Sequence, residues 1–318
     1  MEVKKTAPFG FVTGCHPGDK FMVQATLASI RHFCPEAPIC LVADGAVEVS
    51  DLERQYGLFV LRTNELADSR MKALCCGSYY AKLSAMWEGP FEYAVWLDSD
   101  AILWGDIREQ LDATIDFHIF SCNGICDLSD VPFWMTHYQH NPDLLKKYDP
   151  EFEWRRNPYF CSGTFAFRKN VVPFDMWMKV QKWRDESPNL FGWGEMGMLN
   201  YCVHALSQKG QIQVAVSDLQ HLRSEQGVHE FIEDLDSAGW RLPASIKRPR
   251  VAHFCGHKPY LHNWKSYCRP FTIARLEHYR KTRGELGAWL AVLNEERKIL
   301  QKRVEGKIRK KLRVAGCW

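Results

Sequence analysis

The sequence has 318 residues, of which 46% are hydrophobic and 25% are charged, and its formal net charge is +3. This length permits a large core in one elaborated domain or two smaller ones, and the composition excludes a disordered chain. The small net charge gives no indication of a nucleic-acid partner, and we expect none.

Two features of the sequence bear on the compartment in which the protein works. Residues 1–8 lack the apolar segment of a secretory signal, and no apolar run approaches the roughly 20 residues of a membrane-spanning helix. The 12 cysteines include no Cys-X-X-Cys pair, and several, such as Cys40 and Cys202, lie within apolar runs. We therefore expect reduced thiols, no cysteine metal site and a cytoplasmic protein.

The N-terminal part of the chain alternates between short apolar strands and a helix. The predicted elements are strands over 9–14, 38–42 and 58–61 and a helix over 17–33. This order predicts a βαβ unit, and hence a parallel sheet. The turn after the first strand carries Gly14 and Gly18 but no G-x-G-x-x-G fingerprint of a nicotinamide site. Asp44 follows the second strand, where a carboxylate can bind a base or ribose, although Asp44-Gly45 is equally typical of a turn.

The next strand ends in two carboxylates. Residues 93–97 are apolar and precede Asp98, Ser99 and Asp100, which we expect at the sheet edge where ligands bind in open α/β folds. Carboxylates this close repel each other unless a cation joins them, and Mg²⁺ or Mn²⁺ on oxygen ligands also binds substrate phosphates. The pattern indicates a metal–diphosphate site, or else a turn. The helix predicted over 71–87 can direct its Lys82 at that diphosphate or leave it solvated.

The middle of the chain adds one candidate carboxylate. Gly192-Trp193-Gly194 precedes Glu195, which begins a helix that runs to Leu206. A glutamate at a helix N-terminus is ordinary dipole chemistry, but after this loop it is also well placed to face a substrate. The other elements predicted here are strands over 117–120, 160–168 and 212–216, a helix over 172–183, and an aromatic segment over 127–154 that is typical of either a functional loop or packing.

A late strand ends in several polar residues. His253 lies near its end, where an imidazole is a credible third metal ligand beside two carboxylates. Lys258 follows Gly256 and can act as a point charge on a phosphate.

From Phe271 onward the chain is predicted to be helical. Nine of the residues from Arg297 to Arg313 are Lys or Arg. Apolar residues recur every four positions on one side: Leu300, Val304, Ile308 and Leu312. Such a helix is typical of binding to an anionic membrane surface, and the alternative is a helix that packs its apolar side on the protein.

Segments spread over about residues 9 to 260 resemble the GT-A glycosyltransferases, most nearly the retaining family of glycogenin and the bacterial lipopolysaccharide galactosyltransferases (glycosyltransferase family 8). Thr13-Gly14 is similar to the family's first nucleotide-contacting turn, and Lys82-Leu83 to its Lys-Leu helix, whose lysine lies near the donor. Asp98-Ser99-Asp100 resembles its Asp-X-Asp metal motif. Residues 253–259 resemble its late His-X-X-Gly-X-X-Lys-Pro motif, in which His binds metal and Lys binds diphosphate. Ser162-Gly163 is similar to its Asn-Ser-Gly strand.

The resemblance implies an α/β chain with the Rossmann-like GT-A fold, in which helices flank a mixed, mostly parallel sheet. Residues 1–265 would be the catalytic domain and 266–318 a helical, basic C-terminal extension. The implied enzyme uses Mn²⁺ or Mg²⁺ to transfer a sugar from a nucleotide-sugar, expected to be a UDP-sugar, to a carbohydrate or lipid-linked acceptor. We expect it to be a cytoplasmic protein peripheral to the inner face of the membrane. Asp98, Asp100 and His253 would hold the metal, and Glu195 and Asp100 would be catalytic. The donor would bind Thr13, Gly14, Asp44, Lys82, Asp98, Ser99, His253, Gly256 and Lys258.

The sequence departs from that family's motifs at two places. Only one residue separates Gly256 from Lys258, where the family has two. The family's Asp-Gln is Glu195-Met196 here, so a polar group near the anomeric carbon is missing. The Gly-Trp-Gly-Glu segment is also similar to the Trp-Gly-Gly-Glu-Asp of inverting galactosyltransferases. Glu195 is therefore either the general base of an inverting reaction or a carboxylate that positions the acceptor in a retaining one.

Two other functions compete with this one. A sugar-1-phosphate nucleotidyltransferase uses a similar fold but needs a Gly-rich segment with Arg or Lys after the first strand. Residues 13–19 contain no Arg and no Lys. A catalytically inactive carbohydrate- or membrane-binding module would account for the shortened late motif and for Met196. Pyrophosphate release from a nucleoside triphosphate would favour the first, and weak or metal-independent nucleotide binding would favour the second.

Overall fold

A computed structural model describes residues 7–120, 122–125, 141–192, 194–222, 251–255, 258–261 and 268–314. Three features singled out in the sequence lie wholly or partly outside these residues. They are Gly256 of the late motif, Trp193 of the glycine-rich loop and part of the aromatic segment 127–154.

The strands and α-helices of the described residues are numbered here along the chain. The strands are β1 (Ala7–Cys15), β2 (Ile39–Ala43), β3 (Phe59–Arg62), β4 (Phe91–Leu97), β5 (Ala101–Leu103), β6 (Phe117–Ile119), β7 (Cys122–Ile125), β8 (Pro158–Phe160), β9 (Thr164–Arg168), β10 (Val214–Val216), β11 (Gln220–Leu222) and β12 (Val251–His253). The helices are α1 (Lys20–Phe33), α2 (Ser50–Tyr56), α3 (Ser69–Cys75), α4 (Ser84–Glu88), α5 (Pro142–Leu145), α6 (Phe174–Glu186), α7 (Met196–Gln208) and α8 (Arg269–Val314).

A seven-stranded sheet forms the centre of the fold, in the order β10-β6-β9-β4-β1-β2-β3. Its neighbouring strands run parallel except at β9, which is antiparallel to both β4 and β6. This confirms the predicted mixed, mostly parallel α/β sheet. In the register, Thr13 lies opposite Leu97 and Cys15 lies opposite Ala43. The carboxyl ends of β1, β2 and β4 therefore meet at one edge of the sheet.

The central strands are apolar on both sides because both faces of the sheet are covered. Every residue of β2 is buried, and so is every residue of β4 except Glu92. Helix α1 is buried from Phe21 to Ile30 because it lies between the sheet and α8, and it is correspondingly apolar on most of its surface.

The single helix predicted over 71–87 is wrong. The chain instead forms α3, a 3-10 helix over Tyr79–Leu83 and α4. The break lies at Gly77, whose φ of +71° is a left-handed conformation that glycine adopts without strain. The separate 3-10 helix places Lys82 at the sheet edge, beside the end of β4.

The single strand predicted over 160–168 is also wrong, because β8 and β9 are separated by Cys161, Ser162 and Gly163. The carbonyl oxygen of Gly163 accepts a hydrogen bond of 2.8 Å from the backbone N–H of Asp98. A Cβ atom at Gly163 would overlap the imidazole ring of His253. The chain thus leaves the strand geometry where the imidazole needs space, and only glycine leaves enough.

A second, smaller sheet with the order β11-β12-β5 brings the late strand to the same edge. Strand β12 is antiparallel to β5, and His253 pairs with Ala101. The N–H of Phe254 donates a hydrogen bond of 2.9 Å to the carbonyl oxygen of Asp100. This pairing places the imidazole directly beside the two carboxylates that follow β4.

Helix α8 is interrupted at Gly284, whose φ of +65° and ψ of −178° are not helical. The two halves fold against each other, because the fully buried Arg275 pairs with Glu295 at 3.0 Å and also with Glu296. None of the described helices combines the length and the apolar composition needed to cross a membrane. The division into residues 1–265 and 266–318 stays a prediction.

Candidate active site

The three predicted metal ligands meet at the carboxyl edge of the central sheet. Asp98 and Asp100 follow β4, His253 ends β12, and their candidate ligand atoms all lie within 4.8 Å of one another. The Nε2 atom of His253 is 3.3 Å from Asp100 Oδ1 and 3.9 Å from Asp98 Oδ2. Within the described part of the chain, no other group of three His, Cys, Asp or Glu side chains has this spacing. Two carboxylates and an imidazole are a donor set that fits a divalent cation such as Mn²⁺ or Mg²⁺.

Positive groups surround the two carboxylates. The ammonium of Lys258 pairs with Asp100 Oδ2, and that of Lys82 is 3.1 Å from Asp98 Oδ1. Burial opposes the ionisation of Asp100, but His253 and Lys258 outweigh it and hold the pKa of this carboxyl well below its ordinary value. Asp100 is therefore charged, which is the state that binds a metal.

Lys82 joins Asp98 to Glu195. Its Nζ atom is 2.8 Å from Glu195 Oε1 and donates to the carbonyl oxygen of Ser162 at 3.2 Å. Burial would lower the pKa of Lys82, but the two carboxylates raise it above its ordinary value. This ammonium is therefore held in place by both acids, and its expected contact with a donor diphosphate stays a prediction.

Glu195 immediately precedes α7 and is 7% exposed. Its Oε1 accepts a hydrogen bond of 2.6 Å from the hydroxyl of Ser162, in addition to the ion pair with Lys82. Burial raises the pKa of Glu195, but Lys82 and Ser162 together bring it below the ordinary value. The turn before it requires glycine, because Gly194 has a φ of +90°.

The far side of the His253 ring has its own partners. The Nδ1 atom is 3.3 Å from Gln220 Oε1 and 3.9 Å from Cys161 Sγ. The hydroxyl of Thr164 donates to the same oxygen of Gln220. The ring is thus contacted from behind by the buried Gln220, which Thr164 holds in turn, and Gly163 leaves it the space it needs.

Asp44 presents one satisfied and one unsatisfied oxygen. Its Oδ1 accepts hydrogen bonds from the hydroxyl of Thr63 at 2.6 Å and from the N–H of Gly77 at 2.8 Å. Its Oδ2 is buried, has no hydrogen-bond partner in the described residues and lies 3.9 Å from His16 Nε2. A buried carboxylate oxygen without a partner is unfavourable, so a ligand with an N–H or O–H would satisfy it.

One cavity of about 640 Å³ connects these groups. Its lining includes eight of the predicted site residues: Gly14, Asp44, Lys82, Asp98, Ser99, Asp100, Glu195 and Lys258. Thr13 is completely buried within β1 and is not part of that lining, and His253 lies behind the two carboxylates. Gly256 lies outside the described residues.

Sequence reasoning missed four residues of this site. The indole N–H of Trp96 donates to Asp98 Oδ1 at 2.7 Å, and residues two apart on a strand point to the same side, which is a usable signal. Arg184 donates to two carbonyl oxygens of the glycine-rich loop at 2.8 and 3.0 Å. Asp19 directly precedes α1, makes no side-chain capping hydrogen bond and lines the cavity. Gln220 contacts His253 across 33 residues, and Arg184 also donates to the hydroxyl of Tyr80 across 104, so no local pattern shows either residue.

Solved structures with a fold similar to that of this chain include glycosyltransferases. The galactosyltransferase LgtC, crystallised with donor and acceptor sugar analogues, is 13% identical to this chain; the match covers 83% of this chain and 95% of that one, with a TM-score of 0.52. The bifunctional glycosyltransferase WbbM is 14% identical to this chain, with a TM-score of 0.50. That match covers 91% of this chain and 52% of WbbM. No protein-family model and no curated protein sequence matches the chain. Because the likeness to LgtC extends over nearly all of that protein, the chain has the fold of the GT-A glycosyltransferases.

Proposed function

We propose that the chain is a metal-dependent glycosyltransferase that moves a sugar from a UDP-sugar to a carbohydrate or lipid-linked acceptor. In this reaction the bond from the anomeric carbon to the diphosphate oxygen breaks, a bond from that carbon to an acceptor oxygen forms, and the acceptor's proton passes to the departing diphosphate. The observation that carries the proposal is the placement of Asp98, Asp100 and His253 beside a cavity that also contains Lys258 and Glu195. Cations are needed where negative charge develops on the diphosphate, and a carboxylate is needed beside the sugar.

The metal would be held by Asp98, Asp100 and His253. A bound Mn²⁺ or Mg²⁺ would supply charge neutralisation of the departing diphosphate. Lys258 supports the same role, because its side chain is 41% exposed and lines the cavity while its ammonium contacts Asp100. Lys82 is only 15% exposed and is paired with two carboxylates, so we assign it chiefly to holding Asp98 and Glu195.

The unsatisfied oxygen of Asp44 favours uracil as the base of the nucleotide-sugar donor. This Oδ2 atom can accept a hydrogen bond from the N3–H of uracil, whereas cytosine has no proton at that nitrogen. Replacement of Asp44 by Asn is expected to weaken UDP binding about tenfold or more and to reduce the preference for UDP over CMP. The control is Thr63→Val, which removes a partner of the other oxygen and should leave the nucleotide preference unchanged. An unchanged preference in Asp44→Asn would contradict this assignment.

The surroundings of Glu195 support a positioning role for this carboxylate. A general base works best with a pKa near the working pH, but Lys82 and Ser162 hold the pKa of Glu195 below its ordinary value. We therefore propose that Glu195 orients a sugar hydroxyl and that the reaction retains the anomeric configuration. Proton NMR of the first product formed would reveal its anomeric configuration, and an inverted product would contradict this role.

Calorimetric titration tests the donor site. We expect wild-type protein to bind UDP more tightly than GDP or CMP, and only with Mn²⁺ present. Asp100→Ala should abolish that binding, whereas Asp175→Ala, which removes a carboxylate that is 85% exposed, should not. Equal UDP binding with and without Mn²⁺ would contradict the proposal. Binding of none of the nucleotides would also contradict it and would favour an inactive module.

The second half of α8 supports a location at a membrane surface. One side packs on the protein through Ala288 and Val292. The opposite side exposes large apolar side chains, as expected for positions related by about 100° per residue: Leu286, Leu290, Leu293, Leu300, Val304 and Ile308. We refer to these six residues as the apolar stripe. With nine basic residues between Arg297 and Arg313, this helix fits an anionic bilayer, and we propose peripheral association at the cytoplasmic face.

Vesicle sedimentation tests the membrane proposal. Wild-type protein should pellet with vesicles that contain anionic phospholipid, less so at high salt, and not with neutral vesicles. The triple variant Leu300→Ser, Val304→Ser and Ile308→Ser should stay in solution. Phe59→Ser, which removes a side chain that is 47% exposed elsewhere on the surface, is the matched control. A wild-type protein that stays in solution at low salt would contradict the proposal.

A further inference from the structure

The hydrogen bonds around His253 indicate how the ring is held for metal binding, an inference that rests on the proposed metal dependence. An imidazole binds a metal through the ring nitrogen that carries no proton, and its other nitrogen then donates its N–H to an acceptor. Nε2 of His253 faces Asp98 and Asp100. The proton must therefore stay on Nδ1, and Nδ1 needs an acceptor.

We infer that Gln220 is the positioning residue that keeps this proton on Nδ1. Its Oε1 atom is 3.3 Å from Nδ1 of His253, and both residues are buried, each with only 3% of its surface exposed. Strand β11 carries Gln220 and runs parallel to β12, which carries His253. The other neighbour of Nδ1 is the thiol sulfur of Cys161 at 3.9 Å, which is farther away and a weaker acceptor.

The two orientations of the Gln220 amide have opposite consequences for the ring. With Oε1 toward His253, Nδ1 keeps its proton, so Nε2, which faces the carboxylates, is the nitrogen that would give up its proton to a metal. With the amide reversed, its NH₂ would donate to Nδ1, the proton would move to Nε2, and the metal-binding nitrogen would be blocked. The structure has the first orientation, in which the hydroxyl of Thr164 donates to the same Oε1.

The same geometry shows which substitution should be tolerated. In the orientation that the structure has, the amide nitrogen of Gln220 has no hydrogen-bond partner among the described residues. Only the acceptor function of the side chain is then used. A glutamate, whose two oxygens both accept, should therefore replace Gln220 without loss, whereas methionine, of similar length, has no strong acceptor.

Mn²⁺ affinity of these two variants, measured by electron paramagnetic resonance of the free ion, tests the inference. Gln220→Met should weaken Mn²⁺ binding about 10- to 100-fold, the usual effect of losing a partner of a metal-bound histidine. Gln220→Glu should bind Mn²⁺ at least as tightly as wild type. Tight binding by Gln220→Met together with weak binding by Gln220→Glu would overturn the inference, because it would mean that the amide donates or only fills space.

A second measurement needs no metal and separates this inference from the proposed function. NMR of protein labelled with ¹⁵N in histidine should show a slowly exchanging Nδ1–H of His253 in wild type and in Gln220→Glu, and its loss in Gln220→Met. His253→Gln assigns the signal. A wild-type His253 without a proton on Nδ1 would overturn the inference. If the Nδ1–H is present but the wild type binds no Mn²⁺, the proposed function fails while the assignment of Gln220 stands.

Discussion

The site at the sheet edge and the second half of α8 both concentrate charge, but they accommodate it in opposite ways. At the sheet edge, Asp98, Asp100 and Glu195 each lie within 3.3 Å of a positively charged or ionisable nitrogen. On the helix, the basic residues accompany exposed leucine, valine and isoleucine side chains. A buried charge depends on its partner for stability, whereas an exposed charge contributes little to folding and stays available to a binding surface. Substitutions at the site should therefore affect both stability and binding, and substitutions on the apolar stripe should affect binding alone.

Lys82→Met should cause the largest loss of stability. It would leave Asp98 and Glu195 close together without the ammonium that joins them, and breaking a buried ion pair in this way costs about 3–5 kcal/mol. Urea unfolding at neutral pH measures the effect. The matched control is Lys182→Met, whose side chain is 76% exposed and which should change the free energy of unfolding by less than about 0.5 kcal/mol. Equal stability of the two variants would show that burial does not distinguish the regions.

A buried histidine lies in α7 and another lies in the first half of α8. Burial lowers the pKa of His204 and that of His278 from 6.5 to about 4. Between these pH values the unfolded chain binds more protons than the folded one, so the free energy of unfolding should fall as the pH drops from 6.5 toward 4. Each histidine can contribute roughly 3 kcal/mol over this window.

Chemical unfolding at several pH values measures this dependence. His204→Gln can still donate to the carbonyl oxygen of Pro158 but cannot titrate. It should therefore reduce the change of the free energy of unfolding with pH and leave the part that His278 contributes. His32→Gln, at an exposed position, is the comparison variant and should have a smaller effect. A wild-type stability that stays constant down to pH 5 would contradict the prediction.

Gly163→Ala should have an intermediate effect that is specific to the site. The added methyl group would overlap the imidazole of His253, and overpacking of this kind costs about 1–3 kcal/mol. Because the ring must move, metal-dependent UDP binding should be lost as well. Gly306→Ala, which meets no atom within 4 Å in the exposed helix, should leave both properties intact. Normal UDP binding by Gly163→Ala would show that the ring position tolerates displacement.

The triple serine variant of the apolar stripe should have the smallest effect on folding. Leu300, Val304 and Ile308 are each about half exposed, so their replacement should change the free energy of unfolding by no more than about 0.5 kcal/mol while vesicle binding is lost. A large loss of stability would mean that the stripe is covered by the protein itself and would remove the contrast with the sheet edge.

The sequence predicts the features of this molecule that depend on local patterns. The apolar run of β4 indicates a buried strand, and the two carboxylates after it indicate the sheet edge, because both signals lie within a few residues. His253 is predicted as the third ligand by its position at the end of a strand. The structure brings all three together, and it places Asp44, Lys82 and Glu195 on the same cavity.

Features that depend on contacts between distant segments are not visible in the sequence. Gly163, in the break between β8 and β9, leaves room for His253, and no pattern near residue 163 specifies that ring. The break at Gly77 depends on a left-handed backbone that an isolated glycine permits but does not require. Gln220 and Arg184 are ordinary polar residues until the fold brings His253 to the first and Tyr80 to the second.

The antiparallel pairing of β5 with β12 has a consequence for how the protein folds. It joins Leu103 to Val251 and so closes a longer loop than the pairing of β1 with β4 or of β1 with β2. Closing a longer loop costs more entropy, so we expect this pairing to form after the other two. During synthesis the carboxylates would be in place well before the imidazole is attached to the growing chain. A cation that binds only the completed set would add about 2.7 kcal/mol to this closure at a concentration 100 times its dissociation constant. The proposed metal would then act in assembly before it acts in catalysis.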